Sequence, residues 1–137
     1  MIDITAIIAE INAYLAALTI PFKSLETGRI RETVSAAQMP ACDIAGGSAT
    51  SVQAAGYVSW SAPITIVIRT QSAKRPTGAT DARAYAKAVV GALTGRKGTA
   101  FDVLRNFSII SSDEEAPAGS GATLHFAVVT VTARKDI

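Results

Sequence analysis

Tyr57-Val58-Ser59-Trp60-Ser61-Ala62-Pro63-Ile64-Thr65-Ile66-Val67-Ile68-Arg69 is the stretch that decides how this chain folds. Val58, Trp60, Ala62, Ile64, Ile66 and Ile68 are apolar at every second position, with Ser59, Ser61, Thr65 and Arg69 among the residues between them. A period of two places one face of a strand in the core. Pro63 has no N–H to give a ladder, so the strand meets an edge or a bulge near its middle. After the polar loop Ser72-Ala73-Lys74-Arg75-Pro76-Thr77-Gly78 the period changes. Ala82, Tyr85, Ala86, Val89, Val90 and Leu93 recur at helical spacing. Thr80 is the expected N-cap, Asp81 suits the positive helix end, and Gly95 is the expected stop.

Upstream, Asp3 or Thr5 can cap a first helix whose stripe is Ile4, Ile7, Ile8, Ile11, Leu15 and Leu18. Pro21 is expected to end it. Leu25 to Val34 reads as a polar, exposed strand with Gly28 as a bulge, and Met39 to Ala45 as a short second strand. Gly46 to Gly56, rich in Gly, Ser, Ala and Thr, reads as a flexible loop or a wide hairpin tip.

Downstream, Val103 to Ser112 is a predicted strand with Phe107 and Ile109 on one face. Asp113 to Gly121 is a predicted acidic loop closing a hairpin onto a last strand, Ala122 to Arg134. Leu124, Phe126 and Val128 point one way there and Val129 and Val131 the other, so either both faces are covered or a bulge switches the phase. The order α-β-β-β-α-β-β predicts an α+β fold: a mixed, mainly antiparallel β-sheet with two main helices packed on one face. With 137 residues, of which 49% are hydrophobic, the chain suits a single domain, 1–137.

Composition narrows the function. A net charge of +2 is too small to imply nucleic-acid binding by itself. The single cysteine, Cys42, rules out an internal disulfide, which fits a reducing cytoplasm or no preference. One Cys and one His cannot supply a soft zinc ligand set. The N-terminus lacks the basic region of an export signal, and Ile4 to Ile20 is interrupted by Glu10 and Asn12, so it reads as a helix of a soluble protein and not as a membrane span.

Catalytic motifs are not found. Gly91-Ala92-Leu93-Thr94-Gly95-Arg96-Lys97-Gly98-Thr99 approaches a phosphate loop, but Arg96 intrudes and the glycines end a helix instead of leading into one. Ser48 and Ser120 lie near glycines outside any Gly-x-Ser-x-Gly. His125 reads as a packed or surface residue of a strand. The residues therefore point to no enzyme activity, no catalytic residue, no cofactor and no metal. Two features remain. Lys74 and Arg75 before the second helix, Arg96 and Lys97 after it, and the acidic Asp113, Glu114 and Glu115 are charged turns able to meet protein surfaces. Ala9 and Ala13 on the first helix, with Ala6, Ala16 and Ala17, and Ala84 and Ala88 on the second, with Gly91 and Ala92, form small-residue faces, at least one of which is expected to serve as a subunit contact, since interface cores are poor in charge.

The layout resembles the tail terminator proteins of long-tailed bacteriophages and their prophage relatives, the lambda minor tail protein U type. The parts carrying the resemblance are the opening helix up to Pro21, Met39-Pro40-Ala41-Cys42-Asp43-Ile44, Ile64-Thr65-Ile66-Val67-Ile68-Arg69, the Ala-rich helix Asp81 to Leu93, and a hairpin ending in Leu124-His125-Phe126-Ala127-Val128-Val129-Thr130-Val131. Other neck and tail-completion proteins share this order. The resemblance implies a structural virion protein, assembled in the host bacterial cytoplasm and located in the virion tail. It implies self-association into a hexameric ring that caps the tail tube protein, ends tail polymerisation and offers the head-completion or connector protein a joining surface. DNA would cross the lumen without specific binding, and no membrane is involved. The charged loops Lys74-Arg75 and Asp113-Glu114-Glu115 would be the partner-docking elements. The alternative is a small intracellular module that binds an anionic ligand or nucleic acid with its basic turns.

Overall fold

The structure, a computed structural model, describes residues 2–72, 75–115 and 123–137; the side chains at 36, 72, 75–80, 113–115 and 123 lie outside that description. In chain order the elements are α1 (Ile4–Ala16), β1 (Ser24–Thr27), β2 (Ala41–Gly46), β3 (Thr50–Ala54), β4 (Tyr57–Ser72), α2 (Arg75–Leu93), β5 (Val103–Glu115) and β6 (Thr123–Asp136), with a 3-10 turn at Ala36–Gln38 before β2. The expected α+β class holds, with one strand more before α2 than the sequence suggested.

β4 is the spine. On one side it pairs with β6 along nearly its whole length, from Ser59↔Asp136 to Ser72↔Thr123. On its other side two strands share it: β3 against Tyr57–Ser61 and β2 against Ile64–Arg69. The sheet order is β1-β2-β4-β6-β5 with β3 beside β4, and only the β1–β2 pair is parallel. Pro63 falls where β3 gives way to β2, and its carbonyl accepts the Gly47 N–H at 2.8 Å. The break that the proline requires therefore lies in the neighbouring strand, while β4 itself runs on.

Register aligns the residues of the helix-facing side in rows across the sheet, buried from β2 to β6 and exposed on the edge strand β5. Ile44, Ile66, Val129 and Ile109 form one row, and Cys42, Ile68, Ala127 and Ser111 the next. Above these rows lie Ile7, Ile8, Ile11 and Leu15 of α1 and Ala82, Ala86, Val89 and Leu93 of α2, all buried in one cluster with Phe101. Both helices thus cover the same face, as the two apolar periods require. In β6 the alternation is unbroken: His125, Ala127, Val129 and Val131 are buried on the helix face, and Leu124, Phe126 and Val128 are half-buried on the other. No bulge switches phase there; both faces carry apolar residues.

Several boundaries differ from expectation. α1 stops at Ala16, well before Pro21, and the Leu18 N–H closes on the Leu15 carbonyl at 3.1 Å. Asp3 is its cap, accepting the Ala6 N–H at 3.2 Å. β1 is only four residues long, because Gly28 adopts φ 95° and turns the chain out of the strand. Residues 29–34 form no strand. The predicted loop between Gly46 and Gly56 contains β3, joined to β4 through Gly56 at φ 82°. α2 starts at Arg75, ahead of the expected cap at Thr80, with Pro76 in the first turn where its missing N–H costs nothing. β5 continues to Glu115, so the backbone of Asp113, Glu114 and Glu115 belongs to the strand and not to a loop. Within β5 the register shifts between Arg105 and Ser108, with Asn106 at φ 60°. This bulge keeps Phe107 packed against the core on the same side as Ile109, the face the sequence assigned to both.

Candidate assembly surface

Charged side chains that converge in this molecule are committed to holding it together. Asp43, with 0% of its surface exposed, sits in an otherwise apolar strand on the face away from the helices. Its Oδ1 accepts from Arg31 Nε at 2.8 Å and Nη2 at 2.6 Å; its Oδ2 accepts from the Arg31 backbone N–H at 3.0 Å and from Arg69 Nη1 at 2.6 Å. Arg69 Nη2 reaches back to the Arg31 carbonyl, and its guanidinium lies 5.8 Å from the Phe126 ring centre. Burial pushes the Asp43 carboxyl up, yet the hydrogen bonds from Arg31 and Arg69 outweigh it and hold the group below the ordinary carboxylate range. The cluster ties the β1–β2 connection across β2 and β4. Next to it the Cys42 thiol is pushed up to about 12, first by burial and then by the Asp43 charge, with Arg31 opposing. Cys42 is therefore an inert core residue.

A second clasp joins α1 to the turn after α2. Glu10 Oε1 accepts from the Thr99 N–H at 2.9 Å, the Thr99 hydroxyl at 2.6 Å and the Ala100 N–H at 3.1 Å. Burial raises this carboxyl too, but these bonds and the nearby Lys135 charge bring it below its usual value. A Cβ on Gly98 would overlap Glu10 Oε2, so any larger residue there requires the Glu10 side chain to shift.

The basic turn Arg96–Lys97 is folded onto the same region. Gly95, at φ 75°, stops α2. Arg96 Nε donates to the Ala92 carbonyl at 3.0 Å, its guanidinium lies 5.1 Å from the Tyr14 ring centre, and the Tyr14 hydroxyl donates to the Lys97 carbonyl. Arg96 thus satisfies the carbonyl end of a helix, where a cation is stabilising. The phosphate-loop reading of Gly91–Thr99 has no geometric support, because Gly91 lies inside α2. His125 is buried on the core face of β6. Among the described residues no group of three His, Cys, Asp or Glu side chains comes together.

Lys74 lies outside the described residues. Arg75 begins α2, three residues after Ser72, and Ser72 is in register with Thr123, which pairs with Glu115. The two charged segments singled out in the sequence therefore leave the same end of the sheet. The opposite end carries Arg96, Lys97, Arg105, Arg134 and Lys135, with Arg134 paired to Asp136 at 3.0 Å.

Uncharged surface is exposed at the margins of the fold, on the outer sides of the helices and on the edge strands. Ala9, Ala13, Ala84 and Ala88 are all exposed on the outer sides of their helices. Ala9 lines a shallow groove with Thr5, Ile8, Asn12, Thr27 and Gly28. Ile110 of β5 is 64% exposed and Ile109 38%, one on each face of the strand, and Val52 of β3 is 68% exposed. Among the described residues β5 pairs only with β6 and β3 only with β4. The sequence did not single out the Asp43 cluster or these strand edges. A lone aspartate within Ala41-Cys42-Asp43-Ile44 was the available signal for the first: a charge on a buried strand needs a partner.

No protein-family profile matches the chain, and no curated protein matches it. Among solved structures the chain is similar to a chain of a particle described as "Virion of native gene transfer agent (GTA) particle", at 12% identity, over 91% of this chain and 92% of that one, with a TM-score of 0.49. No helix among the described residues is long and apolar enough to cross a membrane.

Proposed function

We propose that this chain is a structural protein of a phage-type virion that assembles with copies of itself into a ring on the end of the tail tube, ends tube growth and presents the surface that joins tail to head. The observation that carries the reading is the surface left over once the fold is satisfied. Asp43, Glu10, Arg31, Arg69 and Arg96 are all engaged in internal contacts, while uncharged strand edges and alanine helix faces are exposed. Such a surface suits contact with other protein chains. The segments through which the sequence resembles tail terminator proteins become β2, β4 and β6, adjacent in one sheet, with α1 and α2 above them.

In this reading the chain carries no catalytic chemistry and needs no cofactor. Tube and connector proteins dock at the two ends of the sheet, the segment around Arg75 and Asp113–Glu115 at one end serving as a single docking surface. The helix faces at Ala9, Ala13, Ala84 and Ala88 serve as subunit contacts, so Ala13→Glu or Ala88→Glu should weaken assembly by burying a charge. DNA crosses the ring without specific contacts. The test is to add the purified protein to polymerising tube protein of the same virus. Growth should stop at capped ends; tubes that lengthen unchecked contradict the reading.

A further inference from the structure

We propose that copies of this chain join head to tail by sheet extension, the outer edge of β5 in one copy pairing with the outer edge of β3 in the next. The inference rests on the ring reading above and names the joint within it.

An edge strand shows a row of unpaired backbone N–H and C=O groups, and proteins that stay monomeric guard it with charge, proline, a bulge or a covering element. The bulge of β5 lies near its start, between Arg105 and Ser108, and the pairing is regular from Ser108 onward. The run Phe107-Ser108-Ile109-Ile110-Ser111-Ser112 of β5 has neither charge nor proline. Residues 108–112 are all exposed, and Ile109 and Ile110 offer apolar side chains to both faces of the edge. A strand apolar on both faces is one expected to be covered on both. Arg105 and Asp113 bracket the run, so the charges stand at its limits and leave its centre open.

The occupant is a second copy because the same sheet ends on its far side in another unguarded edge. β3, Thr50-Ser51-Val52-Gln53-Ala54, is likewise free of charge and proline, is exposed over Thr50–Gln53, and carries Val52 at its centre. Pairing β5 with β3 covers both edges with one kind of contact and sets β-branched Ile110 and Val52 side chains near each other. A two-fold β5–β5 joint would cover only one edge and leave Val52 in water. Because the two halves of the joint differ, the contact is directional, and repetition closes into a ring when its rotation permits.

Directionality gives a decisive test. Val52→Lys spoils one half of the joint and Ile110→Lys the other, both at exposed positions. Far-UV circular dichroism and melting establish that each variant folds; if Ile110→Lys does not, Ser112→Lys on the same edge takes its place. Sedimentation velocity then reads the mass of wild type, of each variant, and of an equimolar mixture. Wild type should run as a closed oligomer and each variant alone as a monomer. The mixture should run at twice the chain mass, since one good β3 edge remains to meet one good β5 edge. Val52→Lys that assembles as wild type, Val52→Lys that forms dimers, or a mixture that stays monomeric each overturns the joint. A wild-type ring in any of those cases leaves the ring reading standing. The predicted masses combined with unchecked tube growth would leave the joint standing and overturn the function.

Discussion

Arg69 of β4 holds Asp43 of β2 at 2.6 Å on the sheet face away from the helices, and the second oxygen of Asp43 is held by Arg31 from the chain that crosses above it. Two guanidinium groups on one fully buried carboxylate form a unit in which each charge depends on the others. Asp43→Asn removes the only anion and leaves two arginines without their partner. It should destabilise the fold by about 3–5 kcal/mol. The urea unfolding midpoint measures it, and a change near zero would show that the cluster is dispensable.

Acid should release the same unit. Asp43 and Glu10 both have folded-state pKa values lowered from their ordinary ones. The unfolded chain therefore binds protons more readily, and the stability they contribute is full above the ordinary carboxylate range and lost as pH falls through the lowered values. Unfolding midpoints should be flat from pH 7 to about 5 and fall progressively below about 4. Asp43→Asn should remove part of that dependence. A midpoint unchanged down to pH 2 would contradict the account.

Gly98 and Glu10 should be coupled. Gly98→Ala puts a methyl group where Glu10 Oε2 lies, forcing the carboxylate off Thr99 and Ala100. The expected loss is about 1–3 kcal/mol. Glu10→Gln should cost less by itself, and the double variant should fall well short of the sum of the two. Additive losses would mean that the methyl group acts elsewhere.

The acidic end of β5 should matter to joining and not to folding. Replacing Asp113, Glu114 and Glu115 together by Ser should leave a folded, assembled protein with one step impaired, either tail completion or head joining. The defect should deepen at higher salt, where the remaining electrostatic steering is screened. Normal completion and joining at both salt concentrations would remove this segment from the docking surface.

Much of the fold is written in local periodicity. Ala62, Ile64, Ile66 and Ile68 announce β4, and Ala82, Ala86, Val89 and Leu93 announce α2, because each element buries one face against the same core. β3 is not legible in this way. Its exposed Thr-Ser-Val-Gln-Ala buries no face, and it is ordered by its hairpin to β4. β1 ends at Thr27, short of the strand that Leu25 to Val34 predicts, because nothing in Arg29 to Val34 shows that the chain leaves the sheet to bring Arg31 to Asp43. The site is harder still. Small helix residues and charged turns are visible in sequence, but the openness of a strand edge depends on which strands lie outermost, and pairing order is a long-range property. Thus Ile109 and Ile110 read as strand residues, and only the sheet order makes them surface.

The central claim is that this chain works as a closed ring of its own copies. Light scattering coupled to size-exclusion chromatography tests it most directly. The account predicts a discrete closed species, of about six chains if the tail terminator reading holds, close to six times the 14.2 kDa chain mass. A single 14.2 kDa species at every concentration would contradict it.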